Sequence, residues 1–288
     1  MIERVGSRRV IASISGGKDS AAMSLWLTEQ GIEHDRVFCD TGWEAAETYE
    51  HLAYLSQQLG AITHLRGDLQ MEDLCEKKGM FPSRTRRFCT EELKVKPIIK
   101  YINARVDAGE DIVNAVGIRA GESSARAKMP EWEWSDDFDC DVWRPLIRWT
   151  EQDVIDIHAR HGLRPNPLYL AGMSRVGCFP CIFARKAEVR FVADHRPEQI
   201  VRIRKLEHRV QAAAAARQFA RGDEGLYNPP TFFQAPIRND EGKRPCMPID
   251  DVVAWSRTAR GGKQAELFGG GAAEEGCMRW GLCETVAP

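Results

Sequence analysis

Lys18 and Asp19 are the charged pair inside the run Ile11-Ala12-Ser13-Ile14-Ser15-Gly16-Gly17-Lys18-Asp19-Ser20-Ala21-Ala22. The β-branched stretch Val10 to Ile14 predicts a buried strand, and the spacing of Met23, Leu25, Trp26 and Leu27 predicts a helix after it. Between them, Ser15-Gly16-Gly17 forms a turn whose backbone N–H groups can point at an anion beside the partial positive charge of a helix N-terminus. The Ser15 and Ser20 hydroxyls and the Lys18 ammonium add donors, and Ser13 at the strand end joins the nucleotide-binding set. The pattern is neither G-x-x-x-x-G-K-[ST] nor G-x-G-x-x-G. An anion bound here would be held by a different kind of loop.

Further along, chemistry-bearing residues gather where strands should end. Asp35 to Gly42 reads as a second strand closing on Asp40 and Thr41, and ligands of doubly wound sheets sit at such carboxyl ends. Arg84, Arg86 and Arg87 precede Cys89 and a helix start with Thr90 as candidate N-cap. Arginine forks suit phosphate or carboxylate. A thiol near a helix N-terminus should ionise easily, which favours metal ligation or attack. Cys178-Phe179-Pro180-Cys181 follows a glycine turn, a spacing that suits zinc, an iron–sulfur cluster or a redox pair. Cys89, Cys178 and Cys181 make three thiols, and a four-thiolate site needs one more. Cys283, with Cys277 as alternative, is the candidate fourth ligand. His158 and His161 lack acidic or cysteine neighbours in sequence and read as structural or exposed.

The elements that must position these groups alternate. Strands are expected near 61–65, 111–118 and 141–147, and helices over 45–59 and 71–78. Thr150, with Asp153 three residues on, opens another helix that stops near Gly162. Residues 132–139 suggest a loop or edge hairpin. Lys186 to Gln218 reads as charged helix, its arginines a solvated face, followed by a Gly- and Pro-rich tail with a short helix at 250–257. The fold class is thus α/β: a Rossmann-like, doubly wound, mainly parallel sheet with a helical and irregular C-terminal extension. Residues 1–183 form the nucleotide-binding domain and 184–288 the extension.

Of 288 residues, 43% are hydrophobic and 28% charged, as in a soluble globular chain. The net charge of −2 gives no global nucleic-acid footprint. No apolar run reaches a membrane span and the first residues make no signal peptide, so a cytoplasmic protein is expected. In that compartment nine cysteines are core residues or metal ligands rather than a disulfide framework.

Ser-Gly-Gly-Lys-Asp-Ser resembles the pyrophosphate loop of the N-type ATP pyrophosphatases, and the ordered motifs over residues 9–190 resemble the phosphoadenosine phosphosulfate (PAPS) reductase-like group within them. Arg87-x-Cys89-Thr90-x-x-x-Lys94 and Asn166-Pro167-Leu168-Tyr169 through Cys181 are similar to segments of that group, the former to its iron–sulfur branch, which includes DNA phosphorothioation-type sulfur-insertion enzymes. Gly117-x-Arg119-x-x-Glu122-Ser123-x-x-Arg126 matches the group's motif at that place. The resemblance implies Gly117 and Arg119 as nucleotide contacts. It further implies Arg86, Arg87, Glu122, Ser123, Arg126 and Arg175 as substrate or phosphate contacts, with Lys18 and Asp19 as catalytic residues. It also implies ATP with Mg²⁺, and a [4Fe-4S] cluster with zinc as the alternative. The expected activity is adenylation of a substrate with pyrophosphate release, coupled to sulfur transfer. The sulfur donor is unidentified, with a cysteine desulfurase as candidate. Nucleic acid is a candidate acceptor, and a homodimer a candidate assembly. A sulfonucleotide reductase is the second expectation. Against it, the tail reads Gly281-Leu282-Cys283-Glu284 and lacks the Glu-Cys-Gly-Leu-His context of those enzymes. A non-catalytic nucleotide- or DNA-binding protein with structural zinc is the third.

Overall fold

The structure is a computed structural model, described for residues 2–222, 229–235, 240, 242, 244–258 and 280. Cys277 and Cys283 lie outside the described residues.

Six strands form one sheet in the order β3-β2-β1-β4-β6-β5. They are β1 (Arg9–Ser13), β2 (His34–Asp40), β3 (Ile62–Arg66), β4 (Ile112–Val116), β5 (Trp132–Ser135) and β6 (Cys140–Trp143). The first four and β6 pair in parallel. β5 runs antiparallel at the edge, completing the hairpin expected at 132–139. The order turns back at β1, with β2 on one side and β4 on the other. That reversal is where a doubly wound sheet opens a crevice for ligand.

Alternation along the strands builds two cores. Val10 and Ala12 face one side with Phe38, Val113, Ala115 and Trp143, covered by α1 (Lys18–Glu29), α2 (Ala46–Leu59) and α6 (Glu151–Arg160). Ile11, Val37 and Ile112 face the other, against Ile98 and Ile102 of α5 (Lys96–Val106). Because β1 is central and covered on both faces, its middle residues Val10, Ile11 and Ala12 are apolar without interruption. Ile11 is fully buried, and truncation to Ala there should cost about 2–5 kcal/mol.

A third core lies beyond the sheet. It joins α3 (Met71–Lys78), α4 (Phe88–Thr90), α7 (Pro167–Leu170), α8 (Lys186–His195), α9 (Pro197–Ala220) and α10 (Ile249–Ser256) around Trp43, Phe179 and Phe232. The described part of 184–288 therefore shares its core with loops of the sheet domain. Two-residue strands β7 (Phe233–Gln234) and β8 (Cys246–Met247) pair beside it. The charged stretch after 186 is two helices, broken at Arg196-Pro197, because proline lacks the N–H a helix interior needs. Among the described residues no helix is long and apolar enough to cross a membrane.

Candidate active site

The Ser15–Ser20 loop leaves β1 and enters α1, whose first residue is Lys18 with Gly17 as N-cap. The loop is closed by its own side chains. Ser20 Oγ accepts from Ser15 N–H at 3.0 Å and donates to the Gly17 carbonyl at 3.0 Å. The Ser15 and Ser20 hydroxyls lie 3.1 Å apart. Gly16 has φ +72°, and a Cβ there would sit 2.8 Å from Thr48 Cγ2. Both the positive φ and the close approach require glycine. Gly117 leaves no room for a side chain either, since its Cβ would lie 2.9 Å from the Asp19 carbonyl oxygen. Ser13 Oγ is buried and has no hydrogen-bond partner among the described residues.

Distant segments hold the loop from behind. His158 donates to the Lys18 carbonyl at 2.9 Å, and Lys18 N–H donates to the Tyr169 hydroxyl at 3.2 Å. Asn166 Nδ2 donates to the Gly16 carbonyl at 3.2 Å. Trp280 packs edge-on to His158 and against Tyr169, with ring centroids 5.3 and 6.1 Å away. Histidine, tyrosine and asparagine each bring one polar group into an apolar wall, so each fixes one loop atom.

Charge is concentrated at the first turn of α1. The Lys18 ammonium pairs with Asp19 at 3.0 Å and with Glu151 at 3.5 Å. The other Asp19 oxygen accepts from Arg119, which follows β4 and is buried. Arg119 N–H donates to Glu122 at 2.8 Å, and Glu122 pairs with Arg126. Ser123 Oγ accepts from Arg126 N–H at 3.2 Å. The structure thus joins Lys18, Asp19, Arg119, Glu122, Ser123 and Arg126 in one chain of polar contacts across the ends of β1 and β4.

Asp40 and Thr41 end β2 beside this loop, and both are buried and fully engaged. Asp40 accepts from Tyr49 at 2.7 Å, Gly42 N–H at 3.0 Å and Arg66 at 2.8 Å. Burial pushes the Asp40 carboxyl up, but these donors together hold it below its ordinary value. Thr41 donates to Glu44 at 2.7 Å.

Glu44 leads from the nucleotide loop to the thiols. Its backbone bridges Cys178, Phe179 N–H donates to the Trp43 carbonyl at 2.7 Å, and the Trp43 indole donates to Pro180 at 3.0 Å. The Cys-x-x-Cys loop is thereby stitched to the turn after β2. Cys89, Cys178 and Cys181 share a pocket with Lys94, each close enough to influence another's ionisation. Burial pushes the Cys178 thiol up, and the Lys94 ammonium opposes that. Cys39 borders the pocket, donating to the Lys94 carbonyl at 3.4 Å, and burial raises its thiol to about 11.

Two expectations about Cys89 change. Thr90 is not an N-cap, because α4 already begins at Phe88 and Thr90 has helical φ and ψ. The Cys89 thiol is raised, not lowered, because burial outweighs its place in the first helical turn. A five-residue π-helix, Glu91–Val95, follows. It carries Lys94 to the thiols, a role the sequence did not reveal. Arg87 lies over Phe183 at 5.4 Å, and Arg175 donates to the Phe183 carbonyl at 2.6 Å. Both arginines therefore flank the end of the cysteine loop, while exposed Arg86 stands on the loop before α4. Among the described residues no group of three His, Cys, Asp or Glu is arranged to hold a metal ion. The thiols converge without forming a closed site there, and the tail cysteines lie outside the described residues.

Residues 9–184 match the family described as phosphoadenosine phosphosulfate reductase domain. An uncharacterized 37.8 kDa protein of Escherichia phage 186 is 33% identical over 314 residues, covering 90% of this chain and 91% of that protein. An adenosine 5'-phosphosulfate reductase of Rhodococcus opacus is 29% identical over 150 residues, covering 51% of this chain and 58% of that enzyme, so less than two thirds of its length is spanned. The crystal structure of phosphoadenylyl-sulfate reductase from Candida auris aligns with TM-score 0.47 at 16% identity, covering 62% of this chain and 84% of that one. With a match over more than half its length, running from β1 to just past the Cys-x-x-Cys loop, the chain belongs to the phosphoadenosine phosphosulfate reductase domain family.

Proposed function

We propose that the chain is an ATP-dependent adenylating enzyme that supports sulfur transfer. The reading rests on one juxtaposition: a Cβ at Gly17 would lie 3.7 Å from the carbonyl of Val176, two residues before Cys178. The phosphate loop is therefore a neighbour of the segment that leads into the Cys-x-x-Cys loop. Ser15 to Ser20 would hold the β- and γ-phosphates while Lys18 and Arg119 offset charge growing on departing pyrophosphate. A substrate oxygen attacks the α-phosphorus, the bond to pyrophosphate breaks, and AMP becomes the leaving group. A sulfur nucleophile then displaces AMP from the activated carbon, and the carbon–oxygen electrons leave with AMP.

Mg²⁺ accompanying ATP would supply further charge neutralisation, with Asp19 the loop's proposed carboxylate toward it once it exchanges a contact to Lys18 or Arg119. For a [4Fe-4S] cluster the donor chemistry fits: three soft thiols beside a cation that offsets thiolate charge. Cys89, Cys178 and Cys181 would hold it with Cys283 or Cys277, and it would supply a site for exchangeable sulfur. A cysteine desulfurase is the proposed donor class and nucleic acid the proposed acceptor class.

A sulfonucleotide reductase is the second reading, favoured by adenosine 5'-phosphosulfate reductases of 29–30% identity over about half of this chain. One experiment separates the two. Protein purified without oxygen is given either ATP, to follow ATP–pyrophosphate exchange, or adenosine phosphosulfates with a thiol reductant, to follow sulfite. Exchange dependent on Lys18 supports adenylation. Sulfite release without exchange overturns it in favour of reduction.

A further inference from the structure

A hollow of about 280 Å³ opens between the end of β3, α3 and the start of α5. None of its lining residues belongs to the Ser15–Ser20 loop, to the ends of β2 and β4, or to the cysteine pocket. Its wall carries Arg66, Lys77, Lys78, Lys96 and Lys100 against Asp68 and Glu92, five cations to two carboxylates. Lys78 and Lys96 share the carboxylate of Glu92, at 3.4 and 2.8 Å, and Lys96 also lies 3.9 Å from Glu91 outside the hollow. Arg66 turns toward Asp40 at 2.7 Å. Among the described residues Lys77 and Lys100 form no ion pair, and both are exposed. On a chain whose net charge is −2, this is a concentrated local excess of positive charge.

The rest of the wall is apolar. Leu74 and Leu93 are buried in it and Pro97 flanks them. A small concavity with an apolar floor and convergent charged groups is the form of a small-molecule site, and lysine ammonium groups bind phosphate as point charges. We infer that this hollow is a second ligand site, taking a small organic phosphate whose phosphate group is held by Lys77, Lys96 and Lys100 while its organic part rests on Leu74, Leu93 and Pro97. It is separate from the nucleotide loop and independent of the reaction proposed above.

ATP, an organic phosphate that carries the β- and γ-phosphates assigned to the loop, is the probe, titrated calorimetrically into the full chain. Wild type is expected to show two binding events. S15A/K18A removes the loop event and leaves the other, which weakens as ionic strength rises. K77E/K100E keeps the loop event and weakens the second at least tenfold. K77Q/K100Q gives an intermediate loss, and near-wild-type thermal melting shows that both lysine variants fold. A single ATP event abolished by S15A/K18A overturns the inference, as does a second event unchanged in K77E/K100E. A single-stranded 12-mer oligonucleotide that binds through Lys77 and Lys100 where ATP does not would also overturn it, assigning the hollow to a nucleic-acid backbone.

Discussion

The His158 ring donates from Nε2 to the carbonyl of Lys18 at 2.9 Å, joining α6 to the first residue of α1 across 140 positions of sequence. Its Nδ1 faces a second carbonyl, Leu163, at 3.3 Å. Two acceptors would suit an imidazolium, yet burial holds the His158 pKa below its ordinary value. The ring is therefore neutral near pH 7, with its proton on the nitrogen nearer the loop. Removing that donor strands a buried carbonyl at the helix start. H158A should weaken binding of a fluorescent ATP analogue about tenfold, the equivalent of one buried hydrogen bond. An unchanged Kd in a folded variant would show that the loop needs no support from α6.

Arg119 is placed to act on the same loop from the opposite side, through the Asp19 carboxylate. R119A leaves Asp19 with Lys18 alone and removes a buried cation from beside the phosphate loop. Pyrophosphate release should fall about 100-fold, as for loss of one preorganised donor. R119K should recover little of it, because a lysine brings a flexible point charge in place of the planar guanidinium that donates to Asp19. Equal activity in R119K and wild type would reduce Arg119 to a source of charge.

Local signals carried much of this architecture. Thr150 and Asp153 cap each other three residues apart, with Asp153 N–H to Thr150 Oγ1 at 3.2 Å and Thr150 N–H to Asp153 at 2.7 Å, so four residues of sequence were enough to find the helix start. β1 announced itself through continuous burial, and the glycine turn through the backbone freedom that Gly16 needs. His158 and Lys94 were different. His158 was read as structural or exposed, and its hold on the Lys18 carbonyl depends on α6 folding back over α1. Lys94 depends on a π-helical turn that the sequence pattern does not mark, because a one-residue widening of a helix leaves the apolar spacing almost intact. Asn166 and Tyr169 stood in a recognised motif, but which loop atoms they hold became visible only in three dimensions.

Lys94 gives a direct test of the thiol pocket. Its ammonium is held above its ordinary range by Cys178 first, despite burial, and in return it opposes the upward push of burial on that thiol. K94A removes this opposition, so the Cys178 thiolate fraction should fall. Alkylation of Cys178 by iodoacetamide at pH 8, followed by peptide mapping, should slow several-fold, while partly exposed Cys246 reacts as before. A rate unchanged by K94A would mean that Lys94 does not tune the pocket.

Buried histidines set an acid limit on stability. Burial lowers His51 and His34 to about 4, and His158 is lowered for the same cause. Unfolding returns each to an ordinary value near 6.5, so the unfolded chain binds more protons between those limits. Their contribution is complete above about pH 6.5 and is lost as pH falls toward 4. For His51, which is buried, the full loss is on the order of 3 kcal/mol. Glu207, raised by burial, acts in the opposite sense at the lower end of this window. The melting temperature should drop steadily from pH 7 to pH 5. H51F, which preserves the stacking on Tyr54 at 5.6 Å, should flatten that slope, and an identical slope would place the acid sensitivity elsewhere.

Glu207 ties the described C-terminal segments to α9. Its two carboxylate oxygens accept from Phe232 N–H at 2.9 Å and from Ile249 N–H at 3.1 Å, at a position only 3% exposed. Phe232 in turn stacks near Trp43, at 5.5 Å between centroids, on the turn that also carries Glu44 toward Cys178. The carboxylate thus anchors the start of α10 and a wall of the thiol pocket at once. E207Q keeps the volume but turns one acceptor into a donor facing an N–H, and should cost about 1–3 kcal/mol. If the coupling is real, hydrogen exchange should quicken not only at Phe232 and Ile249 but also at Phe179, whose N–H is held by the Trp43 carbonyl at 2.7 Å. Faster exchange confined to Phe232 and Ile249 would show that the C-terminal segment is anchored independently of the cysteine loop.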